Sequence, residues 1–209
     1  MKLKIRIMQN TTRYIFLLLT ILIYGSCRDR TTENQKDSNA ETQKEVQSEP
    51  AETRLVISIS KRQLFVIEGS DTTRRYAISV GTEEYPTPQG EYEIHQIDWN
   101  PDWTPPDSDW SEDESYKKPG EEGNPMGRAR IIYDMPYTIH GTKALESLGK
   151  AESHGSVRMA NEEVIELGRF LMERSGTGRS EEWFERVLSD STTMESVTLE
   201  QPIQLTNVE

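Results

Sequence analysis

The chain holds a single cysteine, Cys27, so no disulfide can form within it and nothing beyond that residue carries a thiol. Covalent chemistry in the rest of the chain must use another atom. Histidine is scarce too. His95, His140 and His154 are the full complement, and HGT with SHGS offers two imidazoles with only Glu152 nearby, too few ligands for zinc. There is no glycine-rich phosphate loop and no dinucleotide fingerprint, so the sequence implies neither a metal nor a cofactor. Positive charge is short: 24 Lys and Arg stand against 36 Asp and Glu, a formal charge of −12 that disfavours nucleic acid as a partner. Long apolar runs are limited to one, YIFLLLTILIY at 14–24, which is too short for a comfortable transmembrane helix.

That run suits the h-region of a signal peptide, preceded as it is by Lys2, Lys4, Arg6 and Arg13. Gly25 and Ser26 directly before Cys27 resemble a bacterial lipobox, in which the cysteine is lipidated and becomes the mature N-terminus. Residues 1–27 are therefore expected to be a lipoprotein-type signal peptide. The protein would be exported and held to a membrane of the cell envelope by its lipid, facing the periplasm or outer envelope. Removing this segment leaves 20 basic residues against 36 acidic ones, a charge of −16. Residues 28–53 have almost no apolar side chains and cannot bury enough to order themselves, so they read as a disordered polar linker.

From Arg54 the texture changes to short alternating runs. LVISIS, QLFVIE and RRYAISVG predict an antiparallel meander, EYEIHQI a fourth strand, and ARIIYDM and YTIHG two more, while SVTL and PIQL return to the sheet. Asn161, followed by Glu162 and Glu163, reads as the N-cap of a helix reaching towards Gly176, and Ser180 as the cap of a second. Residues 54–206 are thus expected to form one domain, mainly β with a few helices. Between Asp98 and Gly123 the run DWNPDWTPPDSDWSEDESYKKPGEEG holds three of the four tryptophans and four of the ten prolines. Such proline density predicts a long loop. Rings as large as Trp99, Trp103 and Trp110 need something to cover, which points to a cleft wall, with Trp103 as a candidate substrate contact.

The stretch SHGSVRM at 153–159 carries the candidate chemistry. If the segment is extended, His154, Ser156 and Arg158 share one face and Gly155, Val157 and Met159 the other. His154 could then take a proton from Ser156, amides near Gly155 and Ser156 could stabilise an oxyanion, and Arg158 could hold a substrate carboxylate. By itself this reading is weak, since a serine with a nearby histidine is more often a hydrogen-bonded surface pair than a catalytic one.

IHGTKALESLGKAESHGSVRMANEEVIEL at 139–167 closely resembles the motif of the YkuD family of L,D-transpeptidases, in which HGT is followed by S-H-G-C-[IV]-R-[ML] and a helix. YPTPQGEYEI, WNPDWTPP and NPMGRARI also look like family segments, so the likeness spans the whole ordered part. The resemblance implies a β-sandwich catalytic domain acting on peptidoglycan stem peptides, with an acyl-enzyme formed at the bond before the terminal D-alanine. It maps the family's catalytic histidine to His154, its HGT segment to His140 and Gly141 as substrate contacts, its arginine to Arg158, and its cysteine to Ser156. That last position departs from the motif. An alcohol, unlike a thiol, is essentially never ionised at neutral pH and must lose its proton during attack. Two readings therefore stand: an enzyme that uses Ser156, and a catalytically silent peptidoglycan-binding lipoprotein.

Overall fold

Leu55 and Ile57, then Leu64 and Val66, alternate with more exposed neighbours, and all four are fully buried. This period of two makes strands of Thr53–Ser58 (β1) and Gln63–Glu68 (β2), which pair antiparallel with each other. The computed structural model describes residues 52–209. The expected signal peptide, Cys27 and nearly all of the linker lie outside the described residues. The first strand begins at Thr53 and the last ends at Val208, one residue earlier and two later than the expected domain.

The meander closes with Asp71–Ala77 (β3), and Val80–Gly81 (β4) follows. Next come Gly90–Trp99 (β5), Ala129–Asp134 (β6) and Tyr137–Thr142 (β7), consecutive antiparallel neighbours. Ala151–Ser153 (β8) and Val157–Ala160 (β9) flank the SHGS segment. The helices Asn161–Arg174 (α1) and Glu181–Ser189 (α2) lead to one long final strand, Glu195–Val208 (β10). SVTL and PIQL are parts of this single strand, joined across an irregularity between Thr198 and Ile203.

Eight strands form one sheet in the order β3-β2-β1-β10-β5-β6-β7-β9, with β10 parallel to β1 and β9 parallel to β7. The small pair β4-β8 lies apart from it. Ser79 and Arg158 exchange two backbone hydrogen bonds of 2.9 Å, so the segment leaving β3 at one margin of the sheet reaches β9 at the other. The sheet must curl to allow this.

One face of β5, β6, β7 and β9 is apolar. Ile97, Trp99, Ala129, Ile131, Ile139, Val157 and Met159 are all fully buried there, in one cluster with Val164, Leu167 and Leu171 of α1. Trp99 therefore belongs to the core and not to the cleft wall. Its ring meets Phe184 and Trp183 edge-on, and a Cβ on Gly168 would stand 3.2 Å from it, which explains a glycine inside a helix. Ser180 caps α2 as expected, accepting the Trp183 amide. Asn161 does not cap α1. It is the first helical residue, and its Oδ1 accepts the Arg128 amide at 2.9 Å instead.

Candidate active site

The opposite face of the same four strands is polar, and the strand register arranges it in rows. Gln96, Ile132 and Thr138 lie abreast on β5, β6 and β7, and Asp98, Arg130, His140 and Arg158 form the next row, ending on β9. Side chains two apart on a strand share a face, so both rows look the same way.

Ser156 stands just before β9, next to the first row. Its Oγ is half-buried and accepts the backbone N–H of Thr138 at 3.1 Å. This amide leaves the hydroxyl proton free to be given elsewhere, and it favours negative charge on the oxygen.

His140 is only 3% exposed and lies diagonally across from Ser156 on the neighbouring strand. Its Nδ1 is 2.9 Å from the Gly141 carbonyl. A carbonyl only accepts, so the neutral ring carries its proton on Nδ1 and presents Nε2 as an acceptor. Burial pushes the imidazole pKa down to about 4, and Arg158 and Arg130 push the same way against the Gly141 and Pro125 carbonyls. The ring is neutral at physiological pH and able to receive a proton. Gly141 is thus a support for His140 more than a substrate contact. A Cβ there would come within 2.3 Å of Asn161 Oδ1.

The expected alignment of His154 with Ser156 fails, because residues 154–156 form a bend and not a strand. Gly155 has φ +103°, a conformation L side chains rarely adopt, and a Cβ on it would meet the Tyr137 ring at 2.5 Å. Its carbonyl accepts the Thr87 hydroxyl at 2.8 Å, and its amide donates to Ser153 Oγ at 3.2 Å. The Gly155 amide is therefore engaged and not free to serve an oxyanion. Ser153, itself 1% exposed, also donates to the Ser156 carbonyl, so this one hydroxyl holds the bend at both ends. His154 is thrown outward. It lies flat on Trp110, with centroids 4.0 Å apart and planes at 11°, and Tyr85 packs against it at 5.0 Å. Among the described residues no hydrogen bond joins it to Ser156. Burial lowers the His154 pKa, with Arg158 acting the same way and Glu84 opposing.

Arg158 is half-buried, and its guanidinium has no ion pair or hydrogen bond among the described residues; burial lowers its pKa while Glu152 opposes. A partly desolvated cation on the face that holds Ser156 is suited to a carboxylate. Trp103 is 8% exposed and stacks behind Trp110, with centroids 6.5 Å apart, so Trp110 is the ring that borders the site. Sequence reasoning missed the parts played by Ser153, Thr87 and Tyr85. All three belong to segments already singled out, SHGS and YPTPQG.

Residues 52–180 match the family model described as the L,D-transpeptidase catalytic domain, YkuD. The L,D-transpeptidase-type protein YqjB of Bacillus subtilis is 30% identical over 128 residues, covering 56% of this chain and 65% of that protein. YbiS of Escherichia coli, also of L,D-transpeptidase type, is 29% identical over 135 residues, covering 59% and 42%. The chain thus spans less than two thirds of these curated relatives. Among solved structures, an L,D-transpeptidase from Mycobacterium smegmatis aligns with TM-score 0.48 at 15% identity, covering 76% of this chain and 59% of that one.

Proposed function

Because the chain belongs to the YkuD family of L,D-transpeptidase catalytic domains, we propose that it acts on peptidoglycan stem peptides by acyl transfer through Ser156, with His140 as the general base. The observation that carries this reading is the state of His140: buried, neutral, with Nδ1 tied to the Gly141 carbonyl and Nε2 left to accept, on the sheet face that holds Ser156.

In this mechanism Ser156 Oγ attacks the carbonyl before the terminal D-alanine and its proton passes to His140 Nε2. The Thr138 amide steadies the charge on Oγ as it forms. Collapse of the tetrahedral intermediate breaks the C–N bond, His140 returns the proton to the departing D-alanine amine, and an ester remains on Ser156. An amine of a second stem then takes the acyl group, or water releases it. Arg158 would hold the carboxylate of the terminal D-alanine.

A second reading is favoured by Ser156 itself, which stands where the family motif has cysteine. The domain would then bind stem peptides without turnover. Release of D-alanine from a disaccharide tetrapeptide separates the two. Slow release by the native chain, abolished in Ser156→Ala, supports catalysis. A silent native chain that gains release in Ser156→Cys supports binding alone. We further propose that the domain is held in the cell envelope by lipidated Cys27, facing the periplasm or outer envelope. A Cys27→Ser chain that stays in the membrane fraction would contradict this.

A further inference from the structure

We infer that Arg130 is the positioning residue of this site, locking the start of the tryptophan loop to the strand beside His140. The inference rests on the acyl-transfer reading above. Arg130 lies between Asp98 and His140 in the second polar row. Its Nε and Nη2 donate to Asp98 Oδ2 at 3.1 and 2.7 Å, Nη1 donates to the Asp102 carbonyl at 3.1 Å, and Nη2 reaches Asp102 Oδ1 at 3.3 Å. Gln96 completes the Asp98 carboxylate through Oδ1 at 2.7 Å. The side chains of Arg130 and Asp98 are 12% and 2% exposed.

An ion pair so deeply buried is weak evidence for stability, since well-packed apolar residues of similar volume commonly do as well. Its geometry has a different consequence. Asp102 directly precedes Trp103, which is bridged to Lys117 by two 2.9 Å backbone hydrogen bonds and backs Trp110 against His154. One guanidinium, carried by the strand beside His140, is therefore tied through Asp98 to β5 and through Asp102 to the loop that rests on His154. The planar fork of arginine can make these contacts together, and an ammonium cannot. The charged and titratable groups around His140 are Arg130 on β6, with Asp98 on β5 and Asp102 on the loop behind it, and Arg158 on β9 with Glu152 beyond. The Gly141 and Pro125 carbonyls add their dipoles.

The test is NMR titration of the full chain labelled on its histidine rings. The native chain is expected to show a His140 midpoint pushed down to about 4 by burial, and His154 ring protons shifted upfield by the stacked Trp110 indole. Arg130→Met should raise the His140 midpoint only slightly, because burial, the larger cause, remains, and should remove the His154 shift. Arg130→Lys keeps the charge without the fork, so it should hold the midpoint near its native value while still losing the shift. Since Arg130→Met strands a buried carboxylate, Asp98→Leu with Arg130→Met serves as the variant that keeps the fold; it removes both charges of the pair, so the His140 midpoint should stay low while the His154 shift is again lost. If that folded double variant retains the native His154 shift, the positioning role is wrong. Where the native chain turns over, the acid limb of its kcat pH profile should move with the midpoint. Absence of turnover in every form, with both NMR changes present, contradicts acyl transfer and supports the role of Arg130.

Discussion

Strand β7 and the bend before β9 each carry one histidine of the motif, and the chain treats them oppositely. In β7 the ladder on both sides fixes the backbone of His140, and its ring is buried between two arginines. In the bend, Gly155 turns the chain out of the strand, and His154 rests on the aromatic rings of Trp110 and Tyr85. A base needs a fixed position and an available lone pair, and the strand supplies both. The bend supplies a clasp, holding the tryptophan loop to the YPTPQG segment. Proximity in sequence to Ser156 is thus a poor guide to which histidine shares its face of the sheet.

The largest effect expected concerns the nucleophile that both regions surround. Ser156→Ala should remove D-alanine release altogether, a loss of at least ~10⁴ for a residue acting as one unit with its base. Release that persists in this variant would break the comparison by moving the chemistry elsewhere.

Gly155→Ala tests the bend. The added Cβ meets Tyr137 at 2.5 Å in a backbone conformation that disfavours it, so the bend must shift. A displacement of Ser156 by ~1 Å would lower kcat about a hundredfold, and the strain would destabilise the fold by roughly 1–3 kcal/mol. Steady-state kinetics and a denaturant melt read the two effects separately.

The strand histidine has a signature in stability against pH. Its folded pKa of about 4 lies below the ordinary 6.5, so between those values the unfolded chain binds more protons than the folded one. Stability attributable to His140 is then present above pH 6.5 and is lost as pH falls towards 4, amounting to about 3 kcal/mol. Urea melts of the native chain and of His140→Gln should converge over this window. His154, whose pKa burial also lowers, acts in the same direction but less, so the melts of His154→Gln should keep more of the native slope than those of His140→Gln. Smallest is Trp110→Ala, which removes an aromatic contact worth about 1 kcal/mol and should change KM more than kcat.

Much of the fold was legible in the sequence because alternation is a local property. Leu55, Ile57, Leu64 and Val66 announce their strands, and the order of the two helices follows from their first-turn acids and their spacing. β8 was missed because three residues carry too short a pattern, and it is a strand by virtue of its partner, while β9 is the half of SHGSVRM that does stay extended. Asn161 looked like a cap, but Arg128 is brought to it from 33 residues away and takes its oxygen. That Ser156 and Arg158 share a face was readable from their spacing. The alignment of His154 with Ser156 rested on an extended SHGSVRM, and the left-handed Gly155 undoes that alternation. The row Asp98, Arg130, His140 and Arg158 was invisible, since register across four strands is fixed only when the sheet assembles.

The most direct measurement is D-alanine release by full-length His140→Gln and His154→Gln compared with the native chain, under conditions where all three remain folded. With His140 as base, His140→Gln should fall to the level of Ser156→Ala, while His154→Gln retains turnover within about tenfold of native as expected for a residue that acts only by packing. The reverse order, with His140→Gln active and His154→Gln dead, would contradict the account.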